Sequence, residues 1–156
     1  MKRFKFALEK VLELRKYGEQ EAKIELGRAI GILTEIENNI KRNAAMRVQA
    51  AAERFSGINV SEDGNAADGT DGVLSMHAWE NYILRLEQEG DVLAEQAAEA
   101  EQVVEEKRNL YLEANRELKV MEKLKEKRHK EYREEALAAE TRERDDTWRG
   151  KEVVSG

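Results

Sequence analysis

The sequence predicts an all-α protein: two long helices forming an antiparallel coiled-coil hairpin, the second helix longer and ending in an overhanging charged C-terminal segment. Three observations predict it. From Trp79 to Met121 a four-three spacing runs through Trp79, Ile83, Leu86, Gly90, Leu93, Ala97, Ala100, Val104, Lys107, Tyr111, Ala114, Leu118 and Met121, with only Gly90 and Lys107 departing from apolar character. A seam covering about two positions in seven cannot fill a globular core and has to lie against a matching helix. The match is in the same chain, where Ala22, Leu26, Ala29, Leu33, Ile36 and Ile40 carry the same spacing. Zero proline, 38% charged residues and 6% aromatic residues in a chain of 156 then suit long solvated helices in a single domain better than a large packed core.

In chain order, the first helix is expected at about residues 4–56. Past Ile40 its apolar positions continue as Ala44, Val48, Ala51 and Phe55 after a four-four step, which reads as a stutter. Ser56-Gly57 supplies a C-terminal stop, since glycine takes the left-handed conformation that caps a helix. Residues 57–74, rich in Gly, Asp and Asn and without periodicity, read as a loop. The second helix is expected at about 75–147, opened by Ser75 as N-cap, with Leu74 and Trp79 spaced as a hydrophobic staple. A disordered tail is expected over 148–156. At ~1.5 Å per residue the helices would be roughly 80 and 110 Å long, so folding at the loop sets Phe4 near Leu124 and leaves everything beyond about Lys125 without a partner. There Lys125 and Arg128 fall on the continued repeat, and Tyr132, Ala136, Leu137 and Ala139 remain only weakly apolar.

Charge is unevenly spread. Residues 87–106 hold Glu87, Glu89, Asp91, Glu95, Glu99, Glu101, Glu105 and Glu106 and no Lys or Arg, while Lys2, Arg3, Lys5, Lys10, Arg15 and Lys16 meet Lys119, Lys123, Lys125, Lys127, Arg128, Lys130 and Arg133 at the open end. Each run alone is an ordinary solvated helix face; together they describe a basic tip suited to an acidic cavity. The net charge of −6 argues against nucleic acid as a partner. Zero cysteine excludes disulfides and thiolate metal sites, the start Met1–Lys10 lacks the apolar core of a signal peptide, and no run approaches the ~20 apolar residues that span a membrane. The chain therefore reads as soluble, without direct membrane insertion.

Catalysis finds no support. His77 and His129 lie far apart in the expected hairpin and have no cysteine beside them. The acidic loop fails as a calcium site, because counting from Asp63 puts Ala67 at position five, Asp68 where glycine is obligatory and Leu74 where the bidentate Glu belongs. Gly27-x-x-x-Gly31 permits close helix approach but in a soluble coiled coil more often marks a thin section. No phosphate-binding glycine loop is present. The expectation is a protein that is not an enzyme and carries no cofactor and no metal.

The stretch Phe4-Lys-Phe-Ala-Leu-Glu-Lys-Val-Leu-Glu-Leu-Arg-Lys-Tyr17, followed by Glu21-Ala22 and Leu26, resembles the opening of the FliJ family of the bacterial flagellar type III export apparatus; Trp79-Glu-Asn-Tyr-Ile-Leu-Arg-Leu-Glu87 resembles the start of that family's second helix. The resemblance implies a non-enzymatic two-helix stalk, similar to the shaft of rotary ATP synthases, whose open end enters a hexameric export ATPase and couples ATP hydrolysis to export. It also implies contact with the cytoplasmic domain of the export gate FlhA and with export chaperones, and a cytoplasmic location peripheral to the inner membrane. At the tip the candidate ATPase-binding residues are Phe4, Phe6, Leu8, Leu12, Arg15, Lys16, Lys123, Lys127 and Arg128. The family's gate-binding face maps onto Tyr82, Leu86, Glu89 and Leu93, with Glu89 standing where a small residue is expected. Leu86 and Leu93 also belong to the seam, and Phe4 and Leu8 can equally close the end of the hairpin. The acidic makeup of the loop is not part of the family pattern. The alternatives are a coiled-coil scaffold or holdase chaperone, or the equivalent stalk of a virulence secretion system or rotary ATPase.

Overall fold

The structure, a computed structural model, describes the backbone of residues 2–60 and 69–155 and the side chains of 2–55 and 75–155. Two helices account for it, α1 (Glu9–Val60) and α2 (Gly69–Ser155), and no strand occurs among the described residues. They pack antiparallel as a coiled-coil hairpin and divide into two compact units. A terminal unit joins Met1–Ile24 to Asn109–Gly156, and a central unit comprises Glu25–Arg108. In the terminal unit Glu9 meets Lys125 at 2.9 Å and Arg15 pairs with Glu117. In the central unit Arg47 lies 3.8 Å from Glu87 and Arg54 lies 3.0 Å from Glu80. In each unit α1 numbers rise as α2 numbers fall, which fixes the antiparallel sense.

The α2 seam is where the sequence places it: every residue named from Trp79 to Met121 is buried or half-buried, including Gly90 and Lys107. On α1 the positions from Ala22 to Ile40 are likewise covered. The stutter expected after Ile40 is absent. Val48 and Phe55 are 72% and 68% exposed, and the heptad continues unbroken through Asn43, Arg47, Ala50 and Arg54, with Asn43 and Ala50 buried. The reason is a shared register. A four-residue insertion locally unwinds the supercoil, and because α2 has no matching insertion, shifting α1 alone would carry its seam off the partner. A polar side chain is admitted instead, and its amide is satisfied: Asn43 Nδ2 donates to the Leu86 carbonyl at 2.9 Å. Gly90 makes room for it, since a Cβ built there would lie 2.9 Å from Asn43 Oδ1.

The helix boundaries differ from those expected at all four ends. Helix α1 starts at Glu9 rather than near Phe4, with the Leu8 carbonyl accepting its first bond from the Leu12 N–H and the Phe6 carbonyl accepting from Glu9. Residues 2–6 are not helical; the Phe4 ring packs on His129 and Tyr132 with centroids 4.9 and 5.5 Å away, and the Tyr132 hydroxyl donates to the Lys2 carbonyl. Non-helical backbone covers up to about 3.3 Å per residue against 1.5 Å in a helix, so Phe4 reaches past Leu124 to the next turns of α2. The section expected to lack a partner from Lys125 onward is therefore covered through Tyr132. Here, opposite the non-helical stretch, the covered positions are Met121, Leu124, Lys125, His129 and Tyr132, and His129 takes the place of the expected Arg128, which is exposed.

Ser56-Gly57 does not end α1, and Ser75 is inside α2 rather than at its cap. Without proline the hydrogen-bond ladder has no obligatory breaker, and a helical glycine costs only about 1 kcal/mol. Of the expected loop 57–74, residues 61–68 lie outside the described residues, as do the calcium positions Asp63, Ala67 and Asp68. The tail expected to be disordered is helical to Ser155. Glu140 with Arg144 and Asp145 with Arg149 have the i,i+4 spacing that supports an exposed helix. All side chains from Thr141 to Ser155 are exposed.

Candidate partner-binding surfaces

In the terminal unit the leading residues and the stretch of α2 around His129 come together as expected, but the candidate side chains fall into different roles. Leu12 is 1% exposed and anchors the start of the helix pair, so it supports the tip from within. Phe4 and Phe6 are half-buried and close the end of the pair, whereas Leu8 is 39% exposed. Arg15 is committed to Glu117, and Lys125 to Glu9, which neutralises part of the expected basic surface. Lys16, Lys123, Lys127 and Arg128 are exposed, and among the described residues none of them enters an ion pair. Next to Lys16 on α1, the exposed Tyr17 is held above its ordinary phenol value, first by its hydrogen bond to Glu21, then by that carboxylate's charge and by slight desolvation.

The central unit carries the other candidate face. Leu86 is 3% exposed and its carbonyl receives Asn43, which makes it a core residue. Tyr82 is half-buried and stacks edge-on with Trp79, ring centroids 6.0 Å apart and planes at 75°. Both rings line a groove of 440 Å³ together with the exposed Ala78, with the buried Ala50 beneath and Met46, Gln49 and Glu53 as the α1 wall. Glu89 and Leu93 line a second groove, of 490 Å³, with Asn39, Arg85 and Val92. Three of the four expected face residues thus border open grooves and one does not. The α1 walls were not legible as site residues, because Met46, Gln49 and Asn39 fall outside the apolar stripe that directs a sequence reading.

Gly27 and Gly31 mediate no close approach among the described residues, since a Cβ on either would meet open space. Among the described residues no group of His, Cys, Asp and Glu is arranged to hold a metal ion, and no helix is long and apolar enough to cross a membrane.

A family model described as flagellar FliJ protein matches residues 4–149. No curated protein and no solved structure matches the chain. The family match takes in both helices, the leading segment that packs on His129 and the grooved face of the central unit, and by it the chain belongs to the FliJ family and is a flagellar export-related protein.

Proposed function

We propose that this protein is a non-enzymatic stalk of the flagellar export apparatus that binds the hexameric export ATPase through the tip of its terminal unit and the cytoplasmic domain of the export gate through the grooved face of its central unit. Export chaperones are further partners on this reading, which places the protein in the cytoplasm, peripheral to the inner membrane. The observation that carries it is the family match over residues 4–149. Its support at the tip is the meeting of Phe4, Phe6 and Lys16 with the exposed cations Lys123, Lys127 and Arg128 in one compact unit. Such a tip acts by electrostatics and shape: it stabilises whichever state of the ATPase ring it binds more tightly, and shifts the ring's equilibrium by that difference alone. Leu12 and Arg15 contribute by holding the tip together. Tyr82, Glu89 and Leu93 form the gate face, with Leu86 packed behind them.

The test is ATPase stimulation by the intact chain, with and without nucleotide in the binding step, against the variant Lys16→Glu, Lys123→Glu, Lys127→Glu. These side chains are exposed, and an exposed charge contributes below about 1 kcal/mol to stability, so thermal melting should not change. Stimulation should fall and lose much of its salt dependence, because several charges acting together set association rates in a salt-dependent way. Full stimulation by the triple variant would remove the tip from the ATPase contact, and failure of the wild type to bind any hexameric ATPase would return the protein to the scaffold class.

A further inference from the structure

We propose that the end of α2 pairs antiparallel with the same segment of a second copy of this chain, through a stripe that nothing else among the described residues covers. The proposal goes beyond the ATPase and gate readings and depends on neither.

One residue past His129 a second four-three spacing begins on α2, within the terminal unit. It runs Lys130, Glu134, Leu137, Thr141, Arg144, Trp148, Lys151 and Ser155, and every one of these side chains is exposed, Leu137 at 64% and Trp148 at 66%. The helix is unbroken across them, so they form one stripe roughly 40 Å long. Helices in proteins are held mainly by the packing of one face rather than by propensity. This face has none.

The stripe is shaped for a facing helix. In a coiled coil each knob enters a hole made by four residues of the partner helix, and the spacing of such a hole, i, i+3, i+4 and i+7, is that of Arg144, Thr147, Trp148 and Lys151. These four line an open groove of 490 Å³ that continues to Glu140 and Glu143. The knob is Leu137. Read backwards the stripe again spaces by four and three, so two copies run antiparallel set Leu137 on Trp148, Thr141 on Arg144 and Glu134 on Lys151, each pair occurring twice about a two-fold axis. Both grooves are then filled.

Charge selects the occupant and its sense. The stripe carries Glu134 near one end and Lys151 near the other, so a uniformly acidic or basic partner would match one half and oppose the other. A parallel second copy in register would stack Glu134, Arg144 and Lys151 each on its own like. Turned end for end, the second copy brings Lys151 to Glu134 and Glu140 beside Arg144, the relation across a seam that Glu117 has to Arg15 within the chain. Among the described residues none of Glu134, Glu140, Arg144 and Lys151 is engaged in an ion pair.

Sedimentation velocity on the full-length chain, from micromolar to millimolar at low salt, tests the pairing. The wild type should pass from monomer to dimer, and Trp148→Ala should weaken the dimer at least about tenfold because it removes the largest side chain of the stripe. Glu134→Lys and Lys151→Glu each set like charges in two layers and should each weaken it about tenfold. An equimolar mixture of these two variants should regain wild-type association, since only the mixed dimer restores opposite charge in both layers. All three side chains are exposed, and circular dichroism checks that each variant folds. The orientation is read separately from a spin label at Val153→Cys, the sole cysteine of that chain: antiparallel tails hold two labels more than about 30 Å apart, parallel tails about 20 Å. A wild type that stays monomeric throughout overturns the proposal. So does a dimer indifferent to Trp148→Ala, a mixture that associates no better than its components, or a label distance near the parallel value.

Discussion

Substituting Gly90 by Ala should destabilise the protein, although alanine is the better helix former. In an exposed helix the change would stabilise by about 1 kcal/mol. Here the new Cβ would lie 2.9 Å from Asn43 Oδ1 and 3.7 Å from its Cγ, closer to the oxygen than atoms tolerate, so the amide has to move. The same amide donates to the Leu86 carbonyl at 2.9 Å and belongs to a residue only 7% exposed. Breaking that bond leaves a buried polar group poorly satisfied, at a cost of roughly 1–3 kcal/mol. The balance is a loss of about 0–2 kcal/mol. The sharper test is the sign in a second background: with Asn43→Ala the obstruction is gone, and Gly90→Ala should stabilise by about 1 kcal/mol. A double-mutant cycle followed by circular dichroism in urea therefore reads a coupling of roughly 1–3 kcal/mol between residues on different helices. If Gly90→Ala stabilises both backgrounds equally, Asn43 and Gly90 do not meet and the register is wrong.

Spin labels at Lys5 and Lys125, both in the terminal unit, should lie within about 20 Å, given the contacts of Phe4 with His129 and of Glu9 with Lys125; a single continuous helix would separate them by ~180 Å. Ultraviolet titration should find Tyr17 ionising above its ordinary value and returning to it in Glu21→Gln, because Glu21 is both its hydrogen-bond partner and the nearby negative charge. The sign follows from linkage: a phenol raised in the folded state adds stability that is complete below the unfolded value near 10.0 and is lost as pH rises through the folded one. A Tyr17 titration indifferent to Glu21→Gln would remove that pair.

The α2 seam was legible because hydrophobicity and geometry agree along it, and Gly90 looked like a defect only until its partner was known. On α1 they disagree. Asn43, Arg47 and Arg54 occupy seam positions while Ala44, Val48 and Phe55 look outward, so a reading that follows apolar residues steps one position off the true stripe. No property of α1 alone corrects this; the correction lies across the interface, in the missing Cβ of Gly90 and the unbroken heptad of α2. The same limit governs the site. Tyr82, Glu89 and Leu93 are visible from one helix by resemblance, but a groove needs two walls, and Met46 and Gln49 acquire meaning only when antiparallel pairing sets them opposite Trp79 and Tyr82. At the tip the hidden information is again the partner: Arg15 and Lys125 look like exposed basic charge because Glu117 and Glu9 are distant in sequence, and a helical spacing sets Phe4 short of its contact because residues 2–6 are not helical. In each case the sequence declares the periodicity of one helix, and the identity of a facing residue depends on a register that only the pair defines.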